Sequence, residues 1–197
     1  AVYTHQPPRP WHDRVERIGI FMGGTDPGAH SELAWRACRM HAGWAGPIDI
    51  ATTSANARLP ALQALCERDA HLRLMVDQPD LAAFHASHDL QIGAGGGALW
   101  ERCALGVPTL ALVTAANQRL SVPLLAEAGV VCGFDAVHTG PDTAAELGAV
   151  VARLVASPAE RAALRRLSLA RVDGRGAGRV AAAMAALPLP LLQEPPP

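Results

Sequence analysis

The sequence predicts an α/β fold, a Rossmann-like doubly wound parallel sheet of about six strands. Three observations predict it. Short runs that are apolar on both faces recur along the chain, as strands covered on both sides require. Helical patterns fall between these runs, so successive strands run parallel through right-handed crossovers. Polar, glycine-bearing turns follow the ends of the runs, where open parallel sheets bind ligands.

The elements follow in order. Residues 1–16 contain Gln6-Pro7-Pro8-Arg9-Pro10 and read as a linker arm. Residues 17–187 read as the folded domain, and 188–197 as a flexible proline-rich tail. The first strand candidate, Arg17–Phe21, runs into Met22-Gly23-Gly24-Thr25-Asp26-Pro27-Gly28 and then a helical stretch, Ser31–Ala42. Ile48–Thr52 is followed by Thr53-Ser54-Ala55-Asn56 and the helix Leu59–Arg68. Leu72–Val76 leads into Asp77-Gln78-Pro79-Asp80 and the helix Leu81–Ser87. Leu90–Gly93 ends at a triple glycine, Gly95-Gly96-Gly97, before the helix Ala98–Leu105. Thr109–Val113 leads into Thr114-Ala115-Ala116-Asn117-Gln118 and the helix Ser121–Ala128, and Val130–Gly133 is the last strand candidate. Thr143 with Glu146 forms one capping box, and Ser157, Pro158 and Glu160 open another helix. Asp173-Gly174-Arg175-Gly176-Ala177-Gly178 breaks the chain before a last helix over 179–187.

Composition narrows the function. The 197 residues suit one large domain or one domain with extensions, and 50% of them are apolar, enough for a sizeable core. A net charge of −1 carries no basic field for nucleic acid or an anionic membrane. All 17 basic residues are arginine, which removes Schiff-base chemistry and a Walker-type phosphate lysine. Gly23-Gly24-Thr25 fits neither the dinucleotide fingerprint nor a P-loop, against a nicotinamide enzyme or an ATPase. Cys38, Cys66, Cys103 and Cys132 lie far apart in apolar segments and read as buried reduced thiols of a cytoplasmic protein. No run approaches the about 18 apolar residues of a membrane helix. No cofactor or metal is expected. The chain opens on Ala1-Val2-Tyr3 without methionine, which suggests a piece of a longer protein.

The five loops crowd one rim of the predicted sheet, and their residues suit a nucleoside diphosphate. Gly95, Gly96, Gly97 and Ala98 offer backbone donors, because amides approach an anion closely where side chains are absent and a helix begins. Glu101, one turn behind, is an acceptor-only carboxylate that can hold two vicinal ribose hydroxyls. Met75-Val76-Asp77 can pair a base through its backbone. Asn117 and Gln118 both donate and accept, as a sugar's hydroxyls require.

At these residues the chain resembles the C-terminal half of a GT-B-type nucleotide-sugar enzyme, most of all the UDP-sugar hydrolases of pseudaminic acid biosynthesis. The resemblance rests on Met22 to Asp26, Ile50 to Asn56, Leu72 to Asp77, Gly93 to Cys103, Gly106-Val107-Pro108, Asn117-Gln118 and Asp173 to Ala177, in that order over roughly 17–182. It is similar, more distantly, to the donor domain of the lipid-II-forming N-acetylglucosaminyltransferase. The resemblance implies a UDP site: Val76 and Asp77 at uracil, Glu101 at ribose, Gly96, Gly97 and Ala98 at the diphosphate, Gly24 and Thr25 facing the sugar-phosphate, and Asn117 and Gln118 at the sugar. It also implies a preceding N-terminal domain, whose glycine-rich loop carries the histidine proposed as catalytic base. No such G-x-G-H segment occurs in this sequence. The chain is therefore expected to supply the leaving-group half of a site that releases UDP from a diacetamido-trideoxy sugar, and to turn over little alone. A glycosyltransferase donor domain and a non-catalytic binding module remain open alternatives.

Other residues read as structural. His85 and His88, three apart on a helical stretch, read as surface or helix-end residues, and His138 as solvent-facing. His30 reads as part of the first helical turn, and Asp26 as an Asx-type turn former before Pro27. Trp35 and Trp100 read as core. Arg102 points away from Glu101, since adjacent helical positions do not share a face. Arg119 is a candidate phosphate contact.

Overall fold

The computed structural model describes residues 6, 7 and 10–187. Among these, six strands form one sheet: β1 Ile18–Phe21, β2 Ile48–Thr52, β3 Leu72–Val76, β4 Leu90–Ala94, β5 Thr109–Val113 and β6 Cys132–Asp135. The order is β3-β2-β1-β4-β5-β6, and every neighbouring pair is parallel. The chain winds outward to β3, returns beside β1 as β4, and winds outward again to β6. The strand order therefore switches between β1 and β4, which is where such sheets open a binding crevice.

The helices are α1 His30–Arg36, α2 Leu59–Arg68, α3 Ala82–Ala86, α4 Gly97–Ala104, α5 Ser121–Glu127, α6 Thr143–Ala156, α7 Pro158–Arg171 and α8 Gly176–Ala185. Strand side chains alternate between the two faces. Ile18, Ile20, Ile48, Ile50, Ile92, Leu110 and Leu112 pack with Ala34, Cys38, Leu62, Leu147, Val151 and Leu154 in the main core. Ala111 and Val113 meet Leu99, Cys103, Val122 and Leu125 in a second core. Each large side chain so buried contributes about 1.5–3 kcal/mol.

One row of the sheet is polar. The register aligns Arg73, Asp49, Gly19, Gln91 and Thr109 across β3, β2, β1, β4 and β5. Asp49, Gln91 and Thr109 are all buried. Asp49 accepts from Arg17 at 3.0 Å, from Arg73 at 2.8 Å and from His88 at 3.1 Å. Gly19 makes room for that histidine, since a β-carbon there would stand 2.8 Å from its ring. A buried carboxylate is tolerated here because three cationic or donor groups surround it.

Several boundaries differ from the sequence reading. The sixth strand starts two residues late, because Gly129 turns left-handed at φ 68° and Val130 and Val131 finish the α5 cluster instead. The stretch read as Ser31–Ala42 starts at His30 and becomes a π-helical turn over Ala37–His41. Thr143 makes no capping box: its hydroxyl accepts from the amide of Gly140 at 2.8 Å, and Asp142 stands at the cap. Ser157 does cap α7, its Oγ accepting from the Glu160 amide at 3.2 Å. The last helix begins at Gly176 rather than 179 and buries none of its residues.

At the chain's start, residues 10–16 lie against the body. Arg161, itself buried, donates to the carbonyls of Leu154, Val155 and Asp13 and lies 6.0 Å from the Trp11 ring. Asp89 accepts from the amides of Glu16 and Arg17 at 2.9 and 3.1 Å. The segment read as a tail, 188–197, lies outside the described residues.

Candidate functional site

The parallel register puts Phe21, Thr52, Val76, Ala94, Val113 and Asp135 at one rim. The loops that leave it are tied to one another. The carbonyl of Gly24 accepts from the Thr53 amide at 3.3 Å and from the Thr53 hydroxyl at 2.9 Å. A β-carbon on Gly24 would stand 3.1 Å from Thr53, so glycine permits that contact. The Asp77 amide donates to Thr52 O at 3.1 Å, and the Asp77 carboxylate accepts from the Ser54 amide at 2.8 Å. Asp77 holds φ 52°, a left-handed turn that aspartate tolerates when its side chain bonds locally. Val76 is half-buried beside it, and Thr25 is exposed on the first loop.

Asp26 organises that first loop. Its carboxylate accepts from the amides of His30 at 2.9 Å and Ser31 at 2.8 Å and so caps α1. Burial opposes ionisation, but these bonds and His30 hold the Asp26 carboxyl below its ordinary range. The His30 ring lies 3.4 Å from that carboxylate and donates from Nε2 to the Ala136 carbonyl at 3.0 Å. Asp26 pulls the imidazole above its usual value against burial. His30 thus ties the loop after β1 to the loop after β6.

The triple glycine divides into two roles. Gly95 continues the sheet: its amide donates to Leu112 O at 2.9 Å, and a β-carbon would stand 2.2 Å from Val122. Its N–H is therefore engaged and does not join the donors expected of it. Gly96 sits at the cap of α4 in an extended conformation, with no side chain capping the helix. Gly97 is exposed, Ala98 is half-buried, and nothing lies within 4 Å of the β-carbon position of Gly97. Space is thus open around Gly97 at the start of α4, where the positive end of the helix dipole emerges.

Glu101 is half-buried one turn along α4. Together with Gly97 and Trp100 it lines a cavity of about 500 Å³, closed on its other side by Arg171 to Gly174, Gly176, Ala177 and Arg179. Trp100, read from the sequence as core, is 45% exposed at this cavity. Trp35 is packed against the core, and its indole donates to Asp69 at 2.8 Å. A larger cavity of about 610 Å³ lies beside α5 and β6, lined by Arg119, Pro123, Phe134 and Asp135. Val122 of its lining packs against Gly95, but none of Gly96, Gly97 and Glu101 lines it. Arg119 reaches His138 there at 3.2 Å.

Asn117 is exposed, whereas Gln118 is buried. The Gln118 side-chain oxygen Oε1 accepts from the Thr114 amide at 2.9 Å, and its Nε2 faces Gly96. Asn117 and Gln118 thus differ: one is free at the surface of the turn, the other braces it.

The two histidines read as surface or helix-end residues do lie at the end of α3, but inside the core. His85 and His88 are 0% and 2% exposed. Gln91 lies between them: its Oε1 is 2.8 Å from His85 Nδ1, while its Nε2 and His88 Nδ1 both face the Phe84 carbonyl, at 3.4 and 2.6 Å. His85 Nε2 lies 3.5 Å from Glu101 Oε2. Polar side chains therefore lie in a row from Asp49 through His88, Gln91 and His85 to Glu101. The signal in the sequence was Asp49 and Gln91, polar residues in the middle of otherwise apolar strands. Arg102 points away from Glu101 as expected, but into the interior, where it donates to Ala94 O at 2.8 Å.

All four cysteines are free, with Cys38 and Cys103 buried and the other two half-buried. Burial pushes the Cys38 thiol up to about 12 and the Cys103 thiol to about 11. Among the described residues no group of three or more His, Cys, Asp or Glu converges to hold a metal ion. No helix among them is long and apolar enough to cross a membrane.

No family model and no curated protein matches this chain. Solved structures do. MurG of Acinetobacter baumannii superposes with a TM-score of 0.66 at 17% identity, over 94% of this chain and 55% of that one. WaaG, a glycosyltransferase involved in lipopolysaccharide biosynthesis, gives 0.62 at 14% identity, over 94% and 48%. The glycosyltransferase SnogD of Streptomyces nogalater gives 0.55 at 25% identity, over 90% and 45%. The chain spans about half the length of these neighbours. Its fold is the Rossmann-like α/β architecture of a GT-B glycosyltransferase domain.

Proposed function

We propose that this chain is the donor-binding domain of an enzyme acting on a nucleotide sugar, and that the nucleotide is UDP. One observation carries the reading: an uncapped helix opens from a glycine turn at the switch point, with a carboxylate one turn behind. The amides of Gly96, Gly97 and Ala98 hold the diphosphate. Glu101 accepts from the ribose hydroxyls. Val76 and Asp77 border the uracil, and Gly24 and Thr25 face the sugar-phosphate from the first loop. Asn117 and the amide nitrogen of Gln118 contact the sugar. As the bond to the sugar's anomeric carbon breaks, negative charge grows on the departing UDP. Fixed amides and the dipole of α4 stabilise that charge without reorganising.

The donor domain of a glycosyltransferase is the reading that the structural neighbours favour. One neighbour is a pneumococcal O-GlcNAc transferase solved with UDP and GlcNAc, similar at 12% identity with a TM-score of 0.60. A second reading, hydrolysis of a UDP-linked diacetamido-trideoxy sugar in pseudaminic acid biosynthesis, draws on the ordered motifs from Met22 to Ala177. Both place the base and the incoming oxygen in a preceding domain. The test is incubation of the full-length protein with a UDP-sugar, with and without a hydroxyl acceptor. A transferase releases UDP quickly only when the acceptor is present, a hydrolase without it. Failure of the protein to bind UDP would exclude both.

A further inference from the structure

We propose that His85 is a positioning residue for Glu101, sharing a proton between its Nε2 and the carboxylate so that Glu101 is held in place for the ribose hydroxyls. The inference rests on the reading of Glu101 as the ribose acceptor.

The chemistry follows from what each atom can do. The amide nitrogen of Gln91 lies 3.4 Å from Phe84 O and 3.2 Å from His85 O. Carbonyls only accept, so that end of the side chain is the NH₂ end. The other end, Oε1, then faces His85 Nδ1 at 2.8 Å, and Nδ1 must carry the hydrogen. That leaves Nε2 to face Glu101 Oε2 at 3.5 Å. The ring is wedged edge-on between Phe21 and Phe84, with centroids 6.2 and 5.6 Å away, so it does not turn aside. With a proton between them, Nε2 and Oε2 attract and the carboxylate is fixed. Without it, two lone pairs oppose one another and Glu101 swings free.

Burial disfavours the imidazolium and sets His85 below its ordinary value; the Glu101 and Gln91 contacts oppose this, and Arg102 adds to it. The proton is therefore held only below the ordinary imidazole range and is lost as pH rises. The charged groups around the pair are few. Just past the end of α3, His88 lies with Nδ1 3.2 Å from Gln91 Nε2 and with Nε2 facing Asp49 of β2. On α4 stand Glu101 and Arg102. Across the cavity, Arg171, Asp173 and Arg179 share the space that Glu101 lines.

The test is calorimetric binding of UDP and of 2′,3′-dideoxy-UDP at pH 5.5–8. The wild-type protein should prefer UDP by about tenfold at the acid end, a preference that shrinks as pH rises. His85→Gln, whose amide can donate to Glu101 without titrating, should keep the preference and lose its pH dependence. His85→Phe should reduce the preference to about twofold and leave dideoxy-UDP affinity unchanged. A wild type that binds UDP with a preference that both variants share at every pH overturns the role of His85 alone. A wild type that binds both nucleotides equally overturns the ribose reading with it. Should the buried variants fail to fold, imidazole NMR of the wild type against Glu101→Gln decides the matter. His85 must titrate at lower pH once the carboxylate is gone, and an unchanged titration overturns the proposal.

Discussion

Arg102 reaches back beneath the end of β4 and donates from Nη2 to the carbonyl of Ala94, 2.8 Å away, with no part of its side chain exposed. The carbonyl belongs to the last residue before the glycine turn, so this buried guanidinium fixes the platform from which α4 starts. Its Nε and Nη1 have no hydrogen-bond partner among the described residues. Burial lowers its pKa to about 10, which leaves it charged at neutral pH.

Replacing Arg102 separates charge from volume. Arg102→Ala should destabilise the fold by about 3–5 kcal/mol, since it leaves a cavity and orphans the carbonyl. Arg102→Met keeps much of the volume and removes an incompletely paired charge, so it should cost about 2 kcal/mol less. Urea denaturation of both variants measures the difference.

Gly93 makes the same point from the other side. A β-carbon there would stand 2.4 Å from Arg102 Nη1 and 2.6 Å from the Phe21 carbonyl. Backbone cannot yield as a flexible side chain does, so Gly93→Ala should lower stability by about 1–3 kcal/mol. Thermal unfolding checks it.

Neighbouring glycines of the triple run should behave in opposite ways. Gly95→Ala drives a methyl to 2.2 Å from Val122 and should destabilise by about 1–3 kcal/mol. Gly97 has nothing within 4 Å of its β-carbon position and opens a helix, so Gly97→Ala should leave stability unchanged or raise it by up to about 1 kcal/mol. On the proposed function, the same methyl obstructs the diphosphate, and UDP affinity should fall about tenfold or more. Paired melting and titration experiments on the two variants distinguish a packing glycine from a ligand-facing one.

Much of this was legible in the sequence. The first five strands announce themselves as short doubly apolar runs, because central parallel strands are covered by helices on both sides. Asp26 was legible as a local turn former because its bonds reach only four and five residues ahead. The sixth strand was misplaced because Val130 and Val131 are as apolar as strand residues, while only the backbone reveals that Gly129 turns them into the α5 cluster. The fates of His85 and His88 were hidden for a different reason. Their partners, Gln91 and Asp49, sit on β4 and β2, and the polar row exists only once the register aligns those strands. Trp100 was misread because a large aromatic in a helix usually packs inward, whereas this one faces the cavity beside α8.

The buried charges set the pH limits of the fold. Burial opposes ionisation of Asp49, but His88, Arg73 and Arg17 hold its carboxyl well below the ordinary 3.8. The stability it contributes is present above that ordinary value and is lost as pH falls through the folded one. His30 has the opposite sign: Asp26 raises it above 6.5, so its contribution is full below that value and disappears as pH rises through the folded one. Asp49→Asn should therefore cost about 3 kcal/mol at neutral pH and flatten the acid limb of a melting-temperature profile. His30→Gln, which keeps a donor toward Ala136 but does not titrate, should flatten the limb above pH 6.5.

The most direct test is calorimetric titration of the purified chain with UDP, uridine and ADP, repeated with Glu101→Gln. The rim-loop site requires that UDP bind, that uridine bind far more weakly for want of the diphosphate, that ADP bind more weakly for want of uracil, and that Glu101→Gln weaken UDP by about tenfold. No heat with UDP, or equal affinity for UDP and ADP with Glu101→Gln unchanged, would contradict the assignment of these loops to a UDP-sugar.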